Sequence, residues 1–263
     1  MLRAYEPSRY AREIDFSITP EQQQSFWEDG FLQVDEHVMP PDELVWFREM
    51  YDAIFENPKV LRLHFDAERE DGTTGVVDQI LVPELTVPEI LETTWYANAR
   101  QIACALLEIE EAEILSNSGT HMIFKPATAG RDTPWHQDEA YWEQPTVTAH
   151  SLSVWTPLDD VTVDSGCMQF LPGSHRSDIV AHSNIGLGEP LVLEDSPDVS
   201  GAVACPIPAG AATVHHCRTI HYSGPNYSER PRRAISALIH GPVERRDEPL
   251  DRSWLPLAPK IKR

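Results

Sequence analysis

Basic residues are in short supply. Against 42 acidic residues the chain has only 21 lysines and arginines, a formal net charge of −21 at pH 7. Binding a phosphate backbone needs a basic footprint, so a nucleic-acid partner is not expected. The acidic balance does not point to a basic substrate either, because acidic surfaces mostly serve solubility. Long apolar runs are missing, and no membrane partner is expected. The opening stretch, MLRAYEPSRYAREIDF, lacks the apolar core and small-residue cleavage site of a secretory signal, so a cytoplasmic location is the expectation. Cysteine is sparse: Cys104, Cys167, Cys205 and Cys217 are widely spaced and form no CxxC pair. That argues against a disulfide framework and a zinc ribbon, and predicts reduced, mostly buried thiols. No internal repeat or low-complexity tract stands out, and the sequence is silent on oligomeric state.

What is present is ample core material, with 41% hydrophobic residues in 263 and 22 prolines. The length suits a single domain, residues 1–263. Residues 1–110 read as mainly helical. TPEQQQSFWEDGFLQV offers Thr19 as N-cap, Pro20 in the first turn and Gly30 as a stop. In PPDELVWFREMYDAIFEN, Leu44, Phe47, Met50, Tyr51 and Ile54 recur at helical spacing. A third helix is predicted across residues 87–108. From residue 113 onward the texture changes to short strands punctuated by glycine and proline, which suggests a β-sandwich or barrel. The fold class is therefore α+β, mainly β, with helices packed outside a largely antiparallel sheet.

The stretch TPWHQDEAYW carries a His and an Asp two positions apart. In a strand, residues i and i+2 share a face, so His136 and Asp138 can approach one ion. Gln137 and Glu139 have the opposite parity and should point away. A catalytic metal needs a third protein ligand, and a distant His would complete a 2-His-1-carboxylate triad that leaves sites open on Fe(II). His150, His175 and His182 lie in loop-like sequence, where surface or structural roles are expected. His215 and His216 are adjacent, so at most one can look inward. His240 ends a strand and reads as a rim residue. His221 differs because of its C-terminal neighbours. In HYSGPNYSERPRR, Ser223 shares its face, and GPN is expected to turn the chain back as a hairpin. The return strand would place Arg232 beside His221, a bidentate donor suited to a carboxylate. Ala234 and Ser236 share the parity of Arg232 and leave room for a ligand.

These residues resemble the phytanoyl-CoA dioxygenase family of Fe(II)/2-oxoglutarate oxygenases. The resemblance runs through four blocks in order: ITPEQQQSFWEDGFLQV, FKPATAGRDTPWHQD, SVWTPLDDVTVDSGCMQFLPGSH and HYSGPNYSERPRRAI. It implies a double-stranded β-helix (jelly-roll, cupin-like) core, read over residues 111–245 and followed by a tail at 246–263; within it, residues 176–202 are a long excursion with loop chemistry at both ends, and loops of this length are often lids. It implies His136, Asp138 and His221 as the catalytic iron ligands, with 2-oxoglutarate and O2 as cosubstrates. Arg232 would hold the distal carboxylate of 2-oxoglutarate with help from Ser223, and Trp155, His121 and Gln79 would line the cosubstrate. His121 stands where Met or Gln is expected, Ser165 where Asn is usual, Ala211 where an acid often follows the glycine, and His215 where an aromatic often stands. Related halogenases replace the carboxylate ligand by a small residue, so Asp138 favours hydroxylation.

The expected reaction couples decarboxylation of 2-oxoglutarate, to succinate and CO2, to oxidation of a small-molecule metabolite or natural-product intermediate. Tyr141 and Trp142 follow the metal motif and are candidates for the substrate wall. No basic cluster suits a coenzyme A phosphate, so an acyl-CoA is not favoured. Two alternatives stand beside this reading. A cupin-like Mn or Zn isomerase or hydrolase could use the same triad without 2-oxoglutarate, but it leaves Arg232 and Ser223 without a purpose. A non-catalytic jelly-roll binding protein would need no complete triad.

Overall fold

The computed structural model describes residues 17–55, 78–128, 132–184 and 190–255. The N-terminal stretch read for localisation lies outside them, as do residues 185–189 of the expected lid and 256–263 of the tail.

The first helix, α1 (Pro20–Asp29), begins as the sequence predicts. The Thr19 hydroxyl accepts the Gln22 amide, and the Gln22 side chain accepts the Thr19 amide in return. Gly30 ends it in the left-handed region at φ 83°. A Cβ there would sit 2.3 Å from His175 Nδ1, so both conformation and space demand glycine. The chain passes at once into strand β1 (Phe31–Val34), then helix α2 (Pro41–Phe55), which buries Leu44, Trp46, Phe47, Met50, Tyr51 and Ile54. Strand β2 (Asp78–Leu81) comes next. The N-terminal part is thus not helical alone.

The helix predicted over 87–108 is broken. A 3-10 turn (Pro88–Glu92) comes first, and α3 proper spans Thr94–Leu107. The cause is Thr93, which is extended at φ −74° and ψ 153° and caps α3 by accepting the Tyr96 amide. The buried carboxylate of Glu43, in α2, accepts the Thr94 and Trp95 amides at 2.7 and 2.9 Å. An anion there satisfies two orphan donors at the positive end of the helix.

The remaining strands are β3 (Gly119–Lys125), β4 (Thr133–His136), β5 (Val147–Pro157), β6 (Met168–Phe170), β7 (His182–Ser183), β8 (Val192–Leu193), β9 (Val203–Cys205), β10 (Ala212–His216), β11 (His221–Ser223) and β12 (Arg232–Arg245). They form a six-stranded sheet, β1-β10-β5-β12-β3-β2, and a four-stranded sheet, β4-β11-β6-β9; β7 and β8 make a small separate pair. All pairings are antiparallel. This is the expected mainly β, cupin-like jelly-roll class with helices outside.

Alternation along the large sheet creates two different faces. One carries Met122, Leu152, Val154, Val214, Ile235, Ala237 and Ile239 into a core shared with Phe47, Met50, Trp95 and Ile102 of the helices. Fully burying each large apolar side chain contributes about 1.5–3 kcal/mol. The other face looks toward the small sheet, where Trp155 and Ala234 pack with Cys167, Met168 and Phe170.

The expected β11–β12 hairpin does not form. β11 pairs with β4 and β6 in the small sheet, whereas β12 pairs with β3 and β5 in the large one. The connection 224–231 folds on the Asn226 amide, which donates to the carbonyls of Lys125, Pro126 and Arg230 and accepts the Ser228 amide. Those bonds carry the chain across from one sheet to the other. Arg232 therefore comes back in the large sheet, paired with Lys125 of β3, not beside His221 on a hairpin.

Candidate metal centre

The β4–β11 register sets His136 directly opposite His221. Asp138 lies one residue beyond Gln137, in a 3-10 turn (Asp138–Tyr141) just after β4. Gln137 is still extended, at φ −121° and ψ 133°, so the i, i+2 parity survives although the strand has ended. One ligand atom from each of His136, Asp138 and His221 can be chosen so that all lie within 4.8 Å of one another.

The ring tautomers are set by their partners. His136 Nδ1 lies 2.7 Å from the Pro134 carbonyl, and His221 Nδ1 lies 2.9 Å from the Thr219 carbonyl. A carbonyl only accepts, so each Nδ1 carries a proton, and in the neutral ring the Nε2 lone pair faces the site. Both Nε2 atoms lie 3.6 Å from Asp138 Oδ1. Burial holds His221 well below the usual imidazole pKa, reinforced by His136 and His215 beside it. Burial works against ionisation of Asp138, but His221, His136 and His215 outweigh it and hold the carboxyl well below the usual range. With both rings neutral and Asp138 ionised, three electron-pair donors converge on one point. Left alone they repel; a divalent cation resolves the repulsion, and two imidazoles with one carboxylate suit Fe(II).

Arg232 begins β12 on the face of the large sheet that carries Trp155 and Ala234 and looks toward the small sheet. It is 2% exposed, and neither Nε nor Nη2 has a hydrogen-bond partner among the described residues. Burial draws its pKa down to about 10, which leaves it charged at neutral pH. Its guanidinium stacks over the Trp155 ring at 5.4 Å. Trp155 Nε1, Thr213 Oγ1 and Ser236 Oγ on that face are also buried without partners among the described residues. A buried cation with free donors is costly to leave unmatched, and a carboxylate is its natural complement.

The other sequence candidates fall in different places. The Ser223 hydroxyl donates to the Gly166 carbonyl at 3.0 Å and accepts from Lys125 Nζ at 2.9 Å. Its proton is therefore already engaged. Lys125 is fully buried and also donates to the carbonyls of Ser223 and Gly224, at 2.8 and 2.6 Å, so it pins β3 to the end of β11. His121 Nε2 lies 3.2 Å from Gln79 Oε1, and burial pushes the His121 pKa down to about 4. Tyr141 meets the His136 ring edge-on at 5.9 Å, while its hydroxyl accepts the Leu191 amide at 2.8 Å. Trp142 packs edge-on against His240 at 5.6 Å.

Gln137 and Glu139 point away from the triad, yet both are fully buried. Gln137 donates to the Arg218 carbonyl and accepts the Val180 amide. Glu139 pairs with Arg218 at 2.7 Å. His182, expected at the surface or in a structural role, is buried and its Nε2 accepts the Gln137 amide at 3.2 Å. His175 is likewise buried.

Sequence reasoning overlooked two residues that touch the site. Ser153 donates to Asp138 Oδ2 at 3.0 Å, and His215 Nε2 lies 3.2 Å from the same oxygen. Parity carried a signal for Ser153, which shares a face with Trp155. Of the adjacent histidines, the sequence allowed at most one to look inward without showing which. The structure turns His215 inward and His216 outward, where it meets His150 at 3.1 Å and packs near Trp27 and His175.

The model of the phytanoyl-CoA dioxygenase family matches residues 26–234. A probable alpha-ketoglutarate-dependent hypophosphite dioxygenase of Stutzerimonas stutzeri is 34% identical over 118 residues, which span 43% of this chain and 40% of that protein. Phytanoyl-CoA dioxygenase domain-containing protein 1 of Danio rerio is 24% identical over 268 residues, 84% of this chain and 90% of that one. Among solved structures, EvdO2 from Micromonospora carbonacea var. aurantiaca complexed with 2-oxoglutarate is 34% identical, with a TM-score of 0.79 over 92% of this chain and 98% of that chain.

Proposed function

The chain belongs to the phytanoyl-CoA dioxygenase family and is an Fe(II)/2-oxoglutarate-dependent dioxygenase, and on that footing we propose that it hydroxylates a small-molecule metabolite or natural-product intermediate. In this reading His136, Asp138 and His221 hold the iron, and Arg232 takes the distal carboxylate of 2-oxoglutarate. When bound, iron and the keto acid supply the oxidising chemistry: O2 is reduced, 2-oxoglutarate becomes succinate and CO2, and one oxygen atom goes to a C–H bond of the substrate.

The protein's part is placement and exclusion. Pro134 and Thr219 fix which nitrogen of each histidine faces the site. Trp155 backs the guanidinium of Arg232, and Lys125 with Ser223 braces the strand ends around it. His121, kept neutral by burial and oriented by Gln79, lines the cosubstrate without adding charge. Tyr141 forms the rim beside His136, and we assign it, with Trp142 further out, to the substrate side. Of the expected lid, the described residues 176–184 and 190–202 are assigned to cover this rim; the Tyr141–Leu191 hydrogen bond supports that assignment. The whole chain works as a single domain. A cytoplasmic location accords with the four free cysteines. Among the described residues no helix is long and apolar enough to cross a membrane.

The observation that carries the proposal is the pairing of three convergent lone-pair donors with a buried arginine whose Nε and Nη2 have no partner among the described residues. A panel of small metabolites, scored by substrate-stimulated succinate formation and a mass gain of one oxygen in the hit, tests it. Oxidation of a panel member by the wild type and not by His136→Ala supports the reading. Succinate formation that survives both His136→Ala and Asp138→Ala would sink it.

A further inference from the structure

We propose that His215, together with Ser153, is a positioning residue that restricts Asp138 to a single metal-binding oxygen; this rests on the iron-ligand reading above. The two oxygens of Asp138 have different surroundings. Oδ1 faces Nε2 of both His136 and His221 at 3.6 Å, whereas Oδ2 lies 3.0 Å from Ser153 Oγ and 3.2 Å from His215 Nε2. An ionised carboxylate only accepts, so His215 Nε2 must carry its proton toward Oδ2. His215 Nδ1 is buried with no partner among the described residues. That nitrogen stays unprotonated at least cost, because a buried N–H without an acceptor is penalised. The ring is therefore committed to the tautomer that donates to Asp138.

The backbone places both donors with little freedom. His215 pairs with Ser153 across the β10–β5 register and with Phe31 on the other side. Its ring lies 5.3 Å from Phe170 and 4.3 Å from His221, centroid to centroid. It is 3% exposed. Asp138, in contrast, sits in the short turn after β4 of the small sheet. The clamp thus ties a metal ligand carried by one sheet to two donors fixed on the other.

The chemical consequence concerns coordination. A free carboxylate can bind through both oxygens and occupy a position that the cosubstrate or O2 requires. With Oδ2 held by two donors, Asp138 offers Oδ1 alone. The family resemblance leads one to expect an aromatic at position 215, and such a ring would leave Oδ2 to Ser153. Outer-shell partners of metal ligands change affinity by about 10–100-fold when removed.

Co(II) binding separates the clamp from the triad. Calorimetric affinity and the visible absorption of the Co(II)-loaded full chain would be compared for wild type, His215→Phe, His215→Gln and Ser153→Ala. The expected result is an affinity loss of about 10–100-fold in His215→Phe with an altered cobalt spectrum. A smaller loss is expected in Ser153→Ala, and recovery in His215→Gln, whose amide can donate to Oδ2. If His215→Phe does not fold, Ser153→Ala decides, with lowered affinity supporting the clamp and wild-type affinity overturning it. A folded His215→Phe with wild-type affinity and spectrum overturns the clamp while leaving the triad intact. A wild type that binds no Co(II) overturns both.

Discussion

The six-stranded sheet has two buried faces built from alternate residues of the same strands, and they obey opposite rules. On the helix side, Met122, Leu152, Val154, Val214, Ile235 and Ile239 pack into a closed apolar core. Two polar groups there are well matched: Trp95 Nε1 donates to Thr156 at 2.9 Å, and the Glu43 carboxylate caps α3. On the inner side, Trp155 Nε1, Thr213 Oγ1, His215 Nδ1, Arg232 Nε and Nη2, and Ser236 Oγ are buried without partners among the described residues. Burying polar groups unmatched costs stability, so their clustering on one face marks where a polar ligand belongs. One face holds the protein together, and the other is arranged for what it binds.

The largest test of this division is loss of a metal ligand. Asp138→Ala should abolish substrate-dependent succinate formation, while its thermal unfolding should stay close to that of wild type or improve. A large drop in melting temperature would show that the inner face also carries stability. The mirror experiment is Trp95→Ala on the helix side, where the ring is fully buried. A cost of about 3–5 kcal/mol is expected in denaturant unfolding, with metal affinity per folded molecule retained.

Acid should strike through the site side. Burial pushes His182 down to about 4, and its two nitrogens are already committed: Nδ1 to the Val180 carbonyl and Nε2 to the Gln137 amide. Above pH about 6.5 neither folded nor unfolded His182 holds the second proton, so no stability is lost there. Between about 6.5 and about 4 the unfolded chain binds that proton and the folded one does not. Stability should therefore fall as pH drops through that window, by on the order of 3 kcal/mol. Denaturant midpoints of wild type and His182→Gln against pH would check this, with the variant expected to show the shallower loss. Equal slopes would contradict it.

A more limited effect is expected from Arg232→Ala, which removes a charge-assisted contact of about 1.5–3 kcal/mol. The 2-oxoglutarate requirement should rise roughly 10–150-fold, with metal affinity nearly unchanged. Equal loss of both would mean that Arg232 supports the fold of the site and not the cosubstrate.

Much of the inner face was legible because parity and residue type agree there. His136, Asp138 and His221 are recognisable as donors of the right kind, and Arg232 as a buried carboxylate partner. What could not be read was pairing between strands. A turn at GPN looks like a hairpin until Asn226 is seen bonding to the end of β3, which routes β12 into the other sheet. His215 and His216 are equivalent in sequence, and only the pairing of His215 with Phe31 and Ser153 shows which one turns inward. Likewise, the break at Thr93 depends on a cap that propensity alone does not reveal.

If the three convergent donors and Arg232 form one site for iron and 2-oxoglutarate, the two ligands must meet on the metal. Anaerobic titration of the metal-free protein with Fe(II) and 2-oxoglutarate, read by visible absorption, tests this directly. A charge-transfer band should appear only when both are present, vanish in His136→Ala, and need more 2-oxoglutarate in Arg232→Ala. A folded wild type that binds Fe(II) but shows no such band at saturating 2-oxoglutarate would refute the single shared site.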